Sequence, residues 1–390
     1  MSEDYIPLSV PSVRGNEWEY VKECLDTEWV SSAGEYVNKF EEKIAEYTGA
    51  HHAIAVVNGT AALHLSLIIT GVQPGDEVIV PTLTFIAPVN TVRYVDAHPV
   101  FMDCDDYYNI DADKTIEFIS KHSEFRDGFS YNKKTGRRIS AIIPVHVFGN
   151  AVRMEELNEI CRDRNIKIIE DATESLGTYY LEGKFRDKYT GTVGDMGCLS
   201  FNGNKIITTG GGGMILTDNV EYAEKARYLS TQAKDDPVRY QHNAIGFNYR
   251  LTNIQAAVGV AQLEQLPGFI ETKKRNYRIY REQIDDIEGL ELAEVPGYAK
   301  QNYWFYSLRI DKSRYGRDRD ELMIYLSENG IQTRPVWKLN HSQRMYRDCL
   351  AFKIEKAPGL WERTLNIPCS SNLEKKAINR VSDMLRTQSR

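Results

Sequence analysis

The sequence predicts an α/β protein: a large unit on a mostly parallel seven-stranded sheet sandwiched by helices, followed by a smaller α+β unit at the C-terminus. Three observations carry this. From Ala53 to Thr217, short apolar runs alternate with segments of helical spacing, the pattern of repeated strand–helix crossovers. Those runs are continuously apolar, as strands covered on both faces are. Beyond Leu290 the texture changes to aromatic-rich strand and separate helices.

The elements follow in order. Glu17 to Leu25 is amphipathic, and Trp29 to Gly34 is a loop with an aromatic anchor. Val37, Phe40, Ile44 and Tyr47 have helical spacing, closed at Gly49. Ala53–Val57 is the first buried strand. Asn58-Gly59-Thr60 breaks it, and Ala61 to Ile69 reads as a helix. Glu77–Pro81, Pro99–Asp103, Ala141–Val147, Ile166–Ile169, Cys198–Phe201 and Met214–Thr217 supply six more strands, with helices at Ala87–Val95 and Met154–Arg164 between them. Ser120 to Arg138 is polar and poorly periodic, and reads as an excursion from the core. Thr252 caps a helix over Asn253–Leu266, Pro267-Gly268 interrupts, and a charged helix covers Ile270–Ile284. Asn302–Ile310 reads as a strand, Arg319–Asn329 as a helix, and a last helix starts at Lys375. The division is expected at residues 1–260 and 261–390.

Composition narrows the function. The 390 residues are 42% hydrophobic and 26% charged, with net charge −7. That is an ordinary globular balance, and no basic arm suits nucleic acid. The densest basic cluster, Lys133-Lys134 with Arg137-Arg138, falls in the polar excursion. No run approaches ~20 uncharged apolar residues, so no membrane span is expected. The acidic start Met1–Asp4 lacks the features of a secretion signal. Six cysteines without paired spacing suit reduced thiols, so a cytoplasmic location is expected. The adjacent His51-His52 pair cannot turn to one point from regular structure, and no metal is expected.

The chemistry centres on Ser200 to Gly213. An apolar strand ends in small polar residues, then Lys205, two threonines and four glycines. A lysine on a loop above a rigid sheet can act as a carbonyl-binding nucleophile. Ligands in such sheets bind beyond the carboxyl ends of the strands. Asn58, His146, Asp171 and Ser200 all fall near such ends. Asn58-Gly59-Thr60 offers strand, tight turn and helix start, where free N–H groups face an anion; a plain N-cap explains it equally well. Phe85 could cover a flat cofactor ring or belong to the core. Asp171 could hold a pyridine nitrogen or cap a helix, and Glu174 follows one helical turn later. Together these parts describe a site for pyridoxal 5′-phosphate (PLP).

At this point the chain resembles a known family. The segments that carry the resemblance are Trp29…Gly34, Asn58–Leu63, Pro81–Phe85, Pro144–Gly149, Glu170-Asp171-Ala172, Gly194-Asp195…Ser200-Phe201…Lys205 and Gly246–Arg250. They resemble the sugar-nucleotide aminotransferases of the DegT/DnrJ/EryC/StrS group, of PLP fold type I, along essentially the whole chain. The resemblance implies that Lys205 holds the cofactor covalently and Asp171 contacts its ring nitrogen. It implies that Phe85 stacks on the ring and that Gly59, Thr60 and Ser200 bind its phosphate. Glu174 would meet the ring hydroxyl, although this position and Thr173 depart from the commoner glutamine and alanine. Asn248 would reach the phosphate site of a neighbouring subunit, which implies a homodimer with shared active sites.

The Asn132–Arg138 segment and Thr333–Lys338 look like the relatives that make UDP-4-amino-4,6-dideoxy-N-acetylglucosamine for legionaminic-acid and related surface glycans. The expected substrates are therefore L-glutamate and a nucleotide-linked 4-keto-6-deoxy sugar, with UDP expected and GDP or dTDP as alternatives. Arg250, Arg334 and Lys338 are candidates for the diphosphate, Trp29 and Trp337 for apolar walls, and Ser31, His146 and Asn204 for further sugar contacts. A related sugar 3-dehydratase would carry histidine in place of Lys205. A non-catalytic PLP-binding regulator is the alternative of another class, and no appended DNA-binding unit is visible in the sequence.

Overall fold

A computed structural model describes residues 5–236 and 238–387; Met1–Asp4 lies outside them. The chain opens with two helices, α1 (Glu17–Asp26) and α2 (Glu35–Thr48). Helix α2 ends at Gly49, whose φ of 73° makes the left-handed cap that glycine adopts without strain.

The central sheet then forms from β1 (His52–Val56), β2 (Glu77–Pro81), β3 (His98–Met102), a hairpin of β4 (Ser123–Arg126) and β5 (Phe129–Asn132), β6 (Arg138–Ile142), β7 (Lys167–Asp171), β8 (Met196–Ser200) and β9 (Gly213–Thr217). Its order is β1–β9–β8–β7–β6–β2–β3. Strand β9 alone among these seven runs opposite to its neighbours. The expected seven-stranded, mostly parallel sheet is therefore present, and Ala351–Phe352 extends it beside β3. The helices α3 (Gly59–Ile69), α4 (Ala87–Tyr94), α5 (Ala112–His122), α6 (Met154–Asp163) and α7 (Val220–Ser230) connect and cover it. Because the strands share a direction, Val56, Pro81, Asp171 and Ser200 end at one edge, and Gly213 begins there.

The polar excursion is part of this sheet. Strands β4 and β5 pair with each other, and β5 pairs with β6. The turn is Asp127-Gly128, both at positive φ (51° and 79°), the geometry that Asp-Gly favours in a two-residue hairpin. Pairing with β5 also starts β6 at Arg138, three residues before the expected strand.

A second, antiparallel sheet contains Leu290–Leu292, Tyr306–Ile310, Thr364–Ile367 and Arg334–Pro335. Helix α8 (Asn253–Ile284) runs without a break through both Pro267 and the expected 260/261 division. The predicted interruption is thus absent. Proline removes one backbone hydrogen bond and costs about 3 kcal/mol in a helix interior. Burial of Val260, Leu263, Leu266 and Ile270 along one face offsets that cost. The first half of α8 packs in the core of the large sheet, while Tyr277, Tyr280 and Ile284 belong to the core of the second. Among the described residues, no helix is long and apolar enough to cross a membrane.

Candidate active site

A cavity of about 490 Å³ opens at the carboxyl edge of the large sheet. One wall is the start of α3. Asn58 caps that helix, its Oδ1 accepting from the Ala61 N–H at 2.8 Å. The N–H groups of Gly59 and Thr60 have no intrahelical acceptor, by helix geometry, and the helix dipole adds partial positive charge there. Ser200, at the end of β8, lines the same wall.

Two glycines let these backbones meet. A Cβ on Gly59 would lie 3.0 Å from the Ser200 Cβ and 2.9 Å from the Thr173 Cγ2. A Cβ on Gly213 would lie 2.5 Å from the Asn58 carbonyl carbon and 2.8 Å from the Gly59 nitrogen. The last glycine of the run is therefore required by backbone packing against the head of α3. Gly211 lines the cavity itself.

The opposite wall holds three charged groups. Asp171 ends β7, and its Oδ1 accepts from the Thr173 N–H at 3.1 Å. Burial pushes its carboxyl up, and Lys205 is among the groups opposing that. Glu174 is nearly inaccessible; its Oε2 accepts from the Phe148 N–H at 2.8 Å. Burial pushes Glu174 up to about 7, with Lys205 the leading opposing influence. The Lys205 Nζ lies 3.7 Å from the Glu174 Oε1 and 4.2 Å from the centre of the Trp304 ring. The Trp304 indole N–H donates to the Asn204 carbonyl at 2.8 Å, so one aromatic plate holds both the lysine's loop and its ammonium head.

Trp304 is held in turn. The Asn302 Oδ1 accepts from the Trp304 N–H, while its amide nitrogen donates to the carbonyls of Glu174 and Leu176. The buried Lys273 Nζ donates to the Trp304 carbonyl at 3.0 Å and also to the Cys369 carbonyl. Sequence reading places Trp304 inside a strand. That strand begins only at Tyr306, after Tyr303 turns the chain at φ 56°. Trp304 and Phe305 are thus cavity residues that the sequence did not single out; aromatic density alone read as β structure.

Of the expected site residues, the structure brings Gly59, Thr60, Phe85, Asp171, Glu174, Ser200, Asn204, Lys205 and Trp337 to this cavity. Phe85 is half exposed, its ring 6.2 Å from that of Trp337, which stacks on Phe148 at 5.0 Å. The others lie elsewhere in the single chain. Arg250 is committed to Glu41 at 2.5 Å. The carbonyls of Trp29 and Ser31 accept from Asn253. Asn248, Arg334 and Lys338 are exposed.

His146 is fully buried behind the cavity. Its Nδ1 accepts from the Val152 N–H at 3.1 Å, which places the ring proton on Nε2, 2.9 Å from the Glu170 Oε2. Both ring nitrogens are therefore committed to the protein. Burial would raise Glu170, but His146 and the N–H groups of Gly194 and Gly191 outweigh it and hold the carboxyl below its usual range. This network fixes the turn that carries Asp171.

Residues 11–386 match the DegT/DnrJ/EryC1/StrS aminotransferase family. The chain belongs to this family. Curated relatives include GDP-perosamine synthases of Escherichia coli O157:H7, 38% identical over 377 residues, and of Caulobacter vibrioides, 38% identical over 378; each alignment covers 96% of both chains. Among solved structures, a family aminotransferase from Brucella abortus superposes with a TM-score of 0.85 at 28% identity, covering 95% of each chain. DesI, solved with its TDP-sugar product, gives 0.87 at 27% identity, covering 99% of this chain and 93% of its own. The protein is a PLP-dependent sugar-nucleotide aminotransferase of fold type I.

The residues present fit the family's cofactor. A phosphate needs a helix N-terminus approached by backbone without side-chain obstruction, and the Gly59–Gly213 contact provides that. A pyridine ring needs a flat wall and a carboxylate, and Phe85 and Asp171 line the cavity. Replacing Gly213 with alanine is expected to lower stability by about 1–3 kcal/mol, the usual cost of overpacking. It should also weaken PLP binding at least about tenfold by displacing Asn58 and Gly59. Thermal melting and cofactor titration measure the two effects.

Glu174 gives a second expectation. Its folded-state pKa lies above the unfolded value, so between about pH 4.5 and 7 the folded protein binds more protons and loses stability as pH rises. Glu174→Gln removes that penalty. Relative to wild type it should gain on the order of 2 kcal/mol between pH 5 and pH 8, read from urea unfolding at the two pH values.

Proposed function

We propose that this enzyme transfers the amino group of L-glutamate to C4 of a nucleotide-linked 4-keto-6-deoxy sugar. The expected acceptor is UDP-2-acetamido-2,6-dideoxy-hexos-4-ulose and the product UDP-4-amino-4,6-dideoxy-N-acetylglucosamine, a precursor for surface glycans. The observation that carries the reaction type is Lys205, set between Glu174 and the Trp304 ring at the mouth of a helix-dipole cradle.

When bound, PLP supplies the electron sink that stabilises a carbanion beside the transferred nitrogen. Gly59, Thr60 and Ser200 would hold its phosphate, Phe85 would cover its ring, and Lys205 would anchor it. Asp171 would hold a proton on the ring nitrogen, and Glu174 would meet the ring hydroxyl. The Lys205 Nζ would take the α-proton of glutamate and hand it to the bound cofactor in the first half-reaction, and in the second would carry a proton from the cofactor to sugar C4, one general base serving both.

Lys205 is the only cation lining the cavity among the described residues, against two carboxylates. A nucleotide diphosphate needs more positive charge. Arg334 and Lys338, exposed and outside the cavity lining, lie close in sequence to the cavity residue Trp337, and a second subunit would supply Asn248 and further groups in a homodimer. Exposure of the apolar side chains Val238 (84%), Tyr240 (75%) and Ile245 (88%), close in sequence to Asn248, supports such an interface.

The 38% identity to GDP-perosamine synthases favours a second reading, the same reaction on a GDP-linked sugar. A panel of UDP-, GDP- and dTDP-4-keto-6-deoxy sugars with glutamate decides. The UDP N-acetyl sugar is expected to give the highest kcat/KM, with an amine at C4 by NMR. Preference for the GDP sugar would replace the first reading with the second. No product from any would remove both.

A further inference from the structure

We propose that the protein binds a phosphate-bearing small molecule in a second cavity, at the amino edge of the large sheet, held by Arg93, Arg137 and Lys134. This cavity, of about 510 Å³, matches the catalytic one in size and shares no lining residue with it. The site stands apart from the acceptor sugar assigned above and does not depend on it.

Sequence and fold bring the cations together from separate elements. Glu77 and His98 open β2 and β3, so the cavity lies at the strand ends opposite Lys205. Arg93 is in the last turn of α4. Lys134 and Arg137 come from the turn between β5 and β6, the basic cluster of the polar excursion. That turn is pinned to the sheet: the Asn132 amide and the Thr135 hydroxyl each donate to the Glu77 carboxylate at 2.7 Å.

The positive charge gathered here lacks a protein counter-ion. The Arg93 Nη1 donates to the Ala97 carbonyl at 2.7 Å and faces the His98 Nδ1 at 3.5 Å. Among the described residues, its Nε and Nη2 have no acceptor and the Lys134 ammonium has no ion pair. Arg137 reaches only the Glu77 Oε1, at 4.0 Å, beyond hydrogen-bond distance, and both Glu77 oxygens already hold neutral donors. The exposed Asp348 is the other carboxylate of the lining, and it pairs with none of the three cations.

Both guanidiniums act on the same space. Burial, Arg137 and Arg93 together hold the His98 imidazole below its usual range, and burial raises the Cys349 thiol with Arg93 and Arg137 among the groups opposing it. Like charges brought together repel. An oxyanion removes that cost and fills the open N–H fork of each guanidinium, the geometry that suits a tetrahedral phosphate. The volume falls within the roughly 300–1,000 Å³ of small-molecule sites and leaves room for an organic body behind the phosphate. Pro99, Met345 and Leu350 give that body an apolar lining.

Cys349 reports occupancy in place. It lines this cavity and is half-buried, whereas the other cysteines are buried. In the full-length holoenzyme, glucose 1-phosphate is expected to slow alkylation of Cys349 by iodoacetamide about tenfold at about ten times its Kd, read by peptide mass spectrometry. Inorganic phosphate should need at least about threefold more for half-protection, the scale of burying one methylene. Arg93→Gln and Arg137→Gln should each raise the glucose 1-phosphate midpoint at least about tenfold, the loss of a charge-assisted bond, with turnover unchanged. Arg334→Gln, near the catalytic cavity's Trp337 in sequence, should leave the midpoint where it is. Calorimetric titration should give the same midpoint and shifts without the thiol. Absence of both protection and saturable heat would overturn the proposal, as would midpoints indifferent to Arg93 and Arg137. A midpoint moved by Arg334→Gln would overturn it by assigning the phosphate to the catalytic cavity. Equal midpoints for glucose 1-phosphate and phosphate would overturn the organic body and leave free phosphate as the ligand. Because no 4-keto sugar enters the binding measurements, failure of this test and failure of the acceptor panel are separate outcomes.

Discussion

Lys205→Ala is expected to lower turnover by about ten-thousandfold or more, the upper range for loss of a general base, and to remove the visible absorbance of the covalently held cofactor. The fold should survive. Lys205 projects from a loop held by its own N–H to the Asn202 carbonyl and by the Asn204 carbonyl to Trp304. Neither bond uses the lysine side chain. Its removal also relieves the desolvation of a shielded ammonium, so melting temperature should change little. Steady-state kinetics with glutamate, a visible spectrum and a thermal melt separate the chemical from the structural effect. Wild-type turnover in this variant would remove Lys205 from the centre of the reaction.

Asp171→Asn is expected to reduce kcat by about 10²–10³-fold, the scale for removing one preorganised electrostatic contact. Asparagine has nearly the same shape, and its carbonyl oxygen can still accept from the Thr173 N–H that now bonds Oδ1. What it lacks is the negative charge that would hold a proton on the ring nitrogen. Cofactor retention with lost turnover is therefore expected, by absorbance and single-turnover rates. Strong loss of cofactor at unchanged residual kcat would assign Asp171 to binding alone.

The positions of these two residues were legible in the sequence in a way that Trp304's was not. Both lie on strongly patterned ground, at the end of β7 and after β8, where apolar runs break into polar residues at the sheet's carboxyl edge. Local pattern was sufficient there because a buried parallel strand is recognisable from its own residues. Trp304 was not recognisable as a site residue. Its role depends on a turn at Tyr303, on a bond to Asn204, 100 positions away, and on its neighbour Asn302, which bonds Glu174 across 128 positions. The excursion over Ser120–Arg138 was misread for a simpler reason: Asp127-Gly128 is a hairpin signal that the surrounding charge obscured. Helix α8 shows the converse. A proline that predicts a break was outweighed by burial on both of its sides, which no window of sequence contains. The glycine run is set at Gly213 by the need to admit the backbone of α3.

Helix α8 also has a mechanical consequence. Its 32 residues make a rod about 48 Å long, one half embedded beside each sheet. The proline at its middle removes one rung of the hydrogen-bond ladder, and that rung is the most compliant point of the rod. Bending there changes the angle between the sheets as a lever would.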